Sequence, residues 1–298
     1  MTTFIFPGQG SQKKGMGGTL FDEFKELTVK ADAILGYSVK ELCLEDQQDF
    51  LKLTQYTQPA LYIVNALMYY QKMREINQNP DYVAGHSLGE YNALLAGGVF
   101  DFETGLRLVQ KRGNLMSKAM GGGMAAVIGL DGEKIKEILD QKGLKNIYVA
   151  NYNAPSQTVI SGLKDDIDRA DKIFKEAGAR LYIPLKVSGA FHSRYMEEAR
   201  KEFELFLNGF EFSEPTMPVI SNVEARPYQK EKIKQLLADQ ITHSVKWTES
   251  IRYLMGKGVK EFEEIDPVVI KSAPIIKEAA AASGVPIPPA APILIFFW

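Results

Sequence analysis

Gly85-His86-Ser87-Leu88-Gly89 is a G-x-S-x-G turn, the setting in which a serine can serve as a nucleophile. The flanking glycines leave room where side chains would collide, and the helical pattern from Leu88 to Ala96 begins at the serine itself. Backbone N–H groups at that helix start could stabilise an oxyanion. The plainer alternative is an ordinary turn serine. A nucleophilic serine also needs a base, and the chain has three histidines. His86 is adjacent to Ser87 on a sharp turn and should point away from it, in a structural role. His243 ends a polar helical stretch and reads as a surface residue. His192 lies on the loop Val187-Ser188-Gly189-Ala190-Phe191-His192-Ser193, where a general base is well placed.

Two further features could take part. Gly8-Gln9-Gly10-Ser11-Gln12 follows the first predicted strand, and it is neither G-x-G-x-x-G nor a Walker loop. Such a loop could bring a backbone N–H close to a reacting centre, or be only a tight turn that holds Gln. Arg112 falls on the apolar stripe of its helix, beside Leu108, Val109, Leu115 and Met116. A buried guanidinium needs an anionic partner. That partner is either a carboxylate of the fold or the carboxylate of a substrate, and the sequence leaves both open. Three histidines and one cysteine match no metal spacing, so no metal site is expected.

The elements that must position these residues alternate. Thr3–Phe6 and Tyr82–Gly85 read as short buried strands, and Pro59 opens a predicted helix to Ile76 that is apolar nearly all round. Asp101 is a good N-cap for a helix to about Met120. After Gly121-Gly122-Gly123 the pattern reads strand (124–130), helix (133–142), strands (147–153 and 157–163), helix (165–178) and strand (179–185). That β-α-β-β-α-β order predicts a ferredoxin-like small domain over 123–188. It is inserted into a large α/β catalytic domain formed by 1–122 and 189–298. Strands near 218–221 and 260–265, with helices near 194–208, 229–241 and 248–257, complete a mostly parallel sheet covered on both faces.

Composition excludes several classes. Among 298 residues, 35 Lys and Arg balance 37 Asp and Glu, a net charge of −2 with no footprint for nucleic acid. Cys43 stands alone, so no disulfide can form within the chain. The start, Met-Thr-Thr-Phe-Ile-Phe-Pro-Gly, lacks the pattern of a signal peptide, and no apolar run is long enough to span a membrane. A cytoplasmic monomer is expected. Beyond residue 266 the prolines and the apolar end Ile293–Trp298 fit neither a domain element nor a solvated tail.

These segments together resemble the malonyl-CoA:acyl carrier protein transacylase family. The matching pieces are Phe6-Pro7-Gly8-Gln9-Gly10-Ser11-Gln12, Thr57-Gln58-Pro59-Ala60, Gly85-His86-Ser87-Leu88-Gly89-Glu90-Tyr91 and Arg112-Gly113. They continue with Asn153-Ala154-Pro155-Ser156-Gln157, Ile160-Ser161-Gly162, Phe191-His192-Ser193 and Val245-Lys246-Trp247-Thr248, in family order over residues 3 to 265. Asp266-Pro267-Val268 departs from the family's usual Gly-Pro-Gly.

The resemblance implies an α/β-hydrolase-like large domain and a dyad of Ser87 and His192, with the Gln9 and Leu88 N–H groups as oxyanion hole. It implies Arg112 as the binder of a malonyl carboxylate, Phe191 as a wall that favours malonyl over methylmalonyl, and the Lys246 carbonyl as the group that orients His192. It further implies malonyl-CoA as substrate, no tightly bound cofactor, and an acyl carrier protein with its phosphopantetheine arm as partner, in fatty-acid or polyketide synthesis. The alternatives are an editing acyl hydrolase on the same scaffold and a non-enzymatic carrier-protein docking subunit.

Overall fold

Two sheets carry the fold in a computed structural model that describes residues 1–76 and 78–265. The proline-rich and apolar segment after residue 265 lies outside the described residues. In the first sheet β1 (Thr2–Phe6) pairs on one side with β2 (Tyr82–Gly85) and on the other with β8 (Glu261–Glu264). Strand β7 (Val219–Ile220) pairs with β2, and every pairing is parallel, giving the order β7-β2-β1-β8. Phe4, Phe6 and Val83 point into the main core, while Ile5, Ala84 and Ile220 face a second core on the opposite side. That alternation is what a strand buried on both faces requires.

Around this sheet, α1 (Leu20–Glu23), α2 (Lys25–Leu35) and α3 (Val39–Leu44) lead into α4 (Thr54–Ile76), the long central helix. Helices α5 (Gly89–Ala96) and α6 (Phe102–Ser117) follow β2, and Asp101 caps α6 by accepting from the Thr104 N–H at 2.8 Å. Helix α4 begins five residues before Pro59 rather than at it. The proline removes one N–H, whose partner would be the carbonyl of Gln55, early enough in the helix that the remaining turns hold it.

The second sheet is antiparallel, in the order β4-β5-β3-β6. Strand β3 (Gly122–Ile128) lies between β5 (Gln157–Leu163) and β6 (Leu181–Pro184), and β4 (Ile147–Ala154) is the outer strand beside β5. Helices α7 (Gly132–Gln141) and α8 (Lys164–Glu176) bury Ile135, Ile138, Ile167 and Phe174 against it. The chain then returns through α9 (Glu197–Leu207), α10 (Ile233–Asp239) and α11 (Trp247–Gly256). The chain is thus α/β, with a parallel sheet and a separate antiparallel one. Among the described residues no helix is long and apolar enough to cross a membrane.

Candidate active site

The carboxyl ends of β1, β2 and β7 meet, the place where open parallel sheets collect their functional groups. At the end of β2 the chain turns so sharply that Ser87 sits at φ 49°, a left-handed conformation costly for serine. A Cβ on Gly85 would lie 2.0 Å from the backbone of Gly89, and one on Gly89 would lie 2.1 Å from the Phe6 carbonyl oxygen. The glycines of the motif are therefore required by backbone contact. Gly8 is pressed the same way, since a Cβ there would meet the His86 carbonyl oxygen at 2.4 Å. This contact brings the Gly8-Gln9 loop from β1 against the serine turn. Neither the Gln9 nor the Leu88 N–H bonds another protein group among the described residues. Gln9 reaches Thr54 through its side-chain amide, at 3.4 Å.

Ser87 and His192 are 105 residues apart in sequence, yet the Ser87 Oγ lies 2.9 Å from the His192 Nε2. The other ring nitrogen, Nδ1, faces two carbonyl oxygens, of Gln240 at 2.8 Å and His243 at 3.2 Å. Carbonyls only accept, so Nδ1 carries the proton and Nε2 is left to accept from the serine. The orienting carbonyls therefore belong to Gln240 and His243. The expectation of Lys246 is corrected: its carbonyl accepts from the N–H and Oγ of Ser250 and begins α11. A carbonyl used as the first acceptor of a helix points along that helix and away from the histidine.

Burial, aided by the nearby Arg112 charge, pushes the His192 imidazole down to about 3, so it rests neutral. His86 is buried as expected of a structural residue. Its Nε2 lies 3.0 Å from Asn153 Oδ1, its ring packs edge-on against Trp247, and burial lowers it to about 4. The His243 side chain is exposed; only its carbonyl reaches the site.

Arg112 is 1% exposed and takes no carboxylate within 4.0 Å among the described residues. It donates instead to neutral acceptors: Gln58 Oε1 at 2.7 Å, Gln240 Oε1 at 2.8 Å and the Ser87 Oγ at 3.0 Å. The structural salt bridge left open by the sequence is absent from this set. A buried guanidinium beside the serine oxygen, held only by neutral groups, has the charge and donors to take an anion. Phe191 is buried in the main core with its ring over Gly189, where a Cβ would meet it at 2.6 Å. No group of three or more metal-ligating side chains occurs among the described residues.

Four polar residues complete the site that residue-by-residue reading did not single out. Asn222, just after β7, accepts from the Ser87 N–H at 2.7 Å and donates to the Gly85 carbonyl at 2.7 Å, clamping the turn. Glu90 is fully buried and accepts from the Asn222 N–H at 2.8 Å and the Tyr228 hydroxyl at 2.7 Å. Burial pushes its carboxyl up to about 7, against the pull of those donors, Gln240 and Arg112. Gln240 donates through Nε2 to the Ser87 carbonyl at 2.8 Å and to Glu90. The signal for Gln240 was the one that exposed Arg112, a polar residue in register with the buried stripe Ile233, Leu236, Leu237 and Ile241.

Comparison with known proteins agrees with this geometry. Residues 3–274 match the acyl transferase domain family. The polyketide biosynthesis malonyl CoA-acyl carrier protein transacylase PksC of Bacillus subtilis is 61% identical over 268 residues, 90% of this chain and 93% of that protein. The crystal structure of malonyl CoA-acyl carrier protein transacylase from Burkholderia pseudomallei is 49% identical, with a TM-score of 0.90 over 94% of this chain and 98% of that one. A malonyl-transacylase solved in complex with its type II polyketide synthase acyl-carrier protein is 35% identical, with a TM-score of 0.88 over 94% and 93%. With its serine turn, its histidine and its buried arginine in one place, the chain belongs to the malonyl-CoA:acyl carrier protein transacylase family of acyl transferase domains.

Proposed function

We propose that the chain moves a malonyl group from coenzyme A to the phosphopantetheine thiol of an acyl carrier protein through an ester on Ser87. The observation that carries this reading is the position of the Ser87 oxygen. It lies 2.9 Å from a neutral imidazole nitrogen and 3.0 Å from a guanidinium that has no carboxylate partner.

His192 Nε2 takes the hydroxyl proton as Ser87 Oγ attacks the thioester carbonyl, and the Gln240 and His243 carbonyls stabilise the imidazolium. The Gln9 and Leu88 N–H groups receive the oxyanion, and Arg112 holds the malonyl carboxylate. Coenzyme A leaves as its thiol with the proton from His192. The carrier thiol then gives its proton to His192 and attacks the ester carbonyl, and Ser87 Oγ leaves and takes that proton back, a ping-pong course with no tightly bound cofactor. Phe191 walls the acyl group and favours malonyl over methylmalonyl.

The carrier-protein complex of a relative supports such an acceptor, and the polyketide relative supports a role in polyketide synthesis. The two sheets support a discontinuous catalytic domain, 1–122 with 189–298, around a small domain at 123–188. The reading implies a cytoplasmic, monomeric enzyme. An editing hydrolase of neutral acyl groups has no use for the buried cation. Incubation with malonyl-CoA, read by intact mass and peptide mapping, tests the proposal: a malonyl adduct on Ser87 that a carrier protein discharges faster than water does supports it. An adduct mapped elsewhere, or discharge by water alone, overturns it.

A further inference from the structure

Glu90 and Arg112 are a carboxyl and a guanidinium, both fully buried, that do not touch. One side-chain amide separates them: Gln240 Nε2 donates to Glu90, and Gln240 Oε1 accepts from Arg112 at 2.8 Å. The orientation of this amide follows from its neighbours, because a carboxylate only accepts and a guanidinium only donates. Two other donors, the Asn222 N–H and the Tyr228 hydroxyl, hold the Glu90 oxygen Oε1, while Gln240 takes Oε2. Glu90 cannot swing onto the guanidinium without abandoning both.

We propose that Glu90 is a positioning residue that compensates the Arg112 charge at one amide's remove, so that the guanidinium stays stable in the core yet donates only to neutral acceptors, which a substrate carboxylate can displace. A buried cation with no compensating charge destabilises the fold, and one already neutralised by a carboxylate of the fold attracts a second carboxylate only weakly. The Gln240 spacer resolves these two demands. Its main-chain carbonyl also holds His192, so the residue that spaces the charges is tied to the base. The inference rests on Arg112 reading the substrate carboxylate.

The test exchanges the two side chains. Glu90→Gln alone removes the compensating charge: at about pH 8, above the Glu90 value of about 7, the melting temperature falls, while the preference for malonyl-CoA over acetyl-CoA in kcat/KM is kept. The double variant Glu90→Gln with Gln240→Glu restores the charge count but sets a carboxylate directly on Arg112. Its melting temperature recovers toward wild type, and its malonyl preference falls by at least about tenfold through loss of malonyl activity. If that chain does not fold, Gln240→Glu alone reads the same loss. A double variant that recovers stability and still prefers malonyl overturns the inference, as does a Glu90→Gln enzyme of unchanged melting temperature. A wild-type enzyme with no malonyl preference refutes the reading of Arg112 itself and takes this inference with it.

Discussion

Replacing Arg112 with alanine separates substrate reading from structural support. The guanidinium is 1% exposed, sits 3.0 Å from the Ser87 Oγ and has only amide and hydroxyl acceptors. A charge-assisted, two-pronged contact with a carboxylate in such a dry setting contributes about 1.5–3 kcal/mol. At about 1.4 kcal/mol per tenfold, Arg112→Ala should lower kcat/KM for malonyl-CoA by roughly tenfold to a hundredfold or more. Acetyl-CoA has no carboxylate and should lose little. It also gains a stronger base, because removing the cation relieves one cause of the depressed His192 pKa. Lysine at 112 restores only part of the malonyl rate, since a point charge cannot reproduce the fork. The assay is steady-state transfer from both thioesters, with melting temperatures measured alongside. A parallel fall for malonyl and acetyl with a large loss of melting temperature would refute the reasoning and make Arg112 a support of the fold.

Ser87→Ala should form no malonyl adduct by intact mass, and a label mapped to another residue would contradict the nucleophile assignment. Gly8→Ala forces a methyl group to 2.4 Å from the His86 carbonyl oxygen, so it should cost more acyl-enzyme formation than stability; wild-type loading would contradict this. Phe191→Ser should narrow the preference for malonyl over methylmalonyl, a difference worth about 1–3 kcal/mol per methyl group, read as a ratio of kcat/KM. The melting temperature should fall as pH drops from 6.5 to 4.5. In that window the unfolded chain binds protons at His86 and His192, whose folded values lie at about 4 and 3, while the folded chain alone holds one on Glu90, at about 7. The unfolded state binds the excess, so stability is lost with acid, and His192→Asn should flatten that slope.

The serine turn and the element order were legible because each rests on local chemistry. Gly85 and Gly89 are dictated by backbone contacts within a few residues or with the neighbouring strand, and the 3.6- and 2-residue periods announce the helices and strands. The partners of Arg112 were not legible. Gln58, Gln240 and Ser87 come from three separate segments, and no spacing links them. The misassigned carbonyl shows the same limit. Main-chain carbonyls are chemically alike along the chain, and only the fold decides that those of Gln240 and His243 face the imidazole while that of Lys246 starts a helix.

Two of the places where the antiparallel sheet is fastened to the rest of the molecule lie close in sequence to the residues that hold His192. Where the chain enters and leaves it, Gly122 lies so near Ala190 that a Cβ would reach the Ala190 nitrogen at 2.1 Å. On the far edge, β4 exchanges bonds with the segment before α11: Val245 N–H to the Ala150 carbonyl at 2.8 Å, and Tyr152 N–H to the Val245 carbonyl at 2.9 Å. The first fastening sits two residues before His192, and the second begins two residues after His243, whose carbonyl aims that histidine. Any tilt of the small sheet is therefore transmitted to the imidazole from both sides. A hybrid that borrows this sheet from a relative inherits the alignment of its own base only if residues 189–192 and 243–248 are exchanged with it.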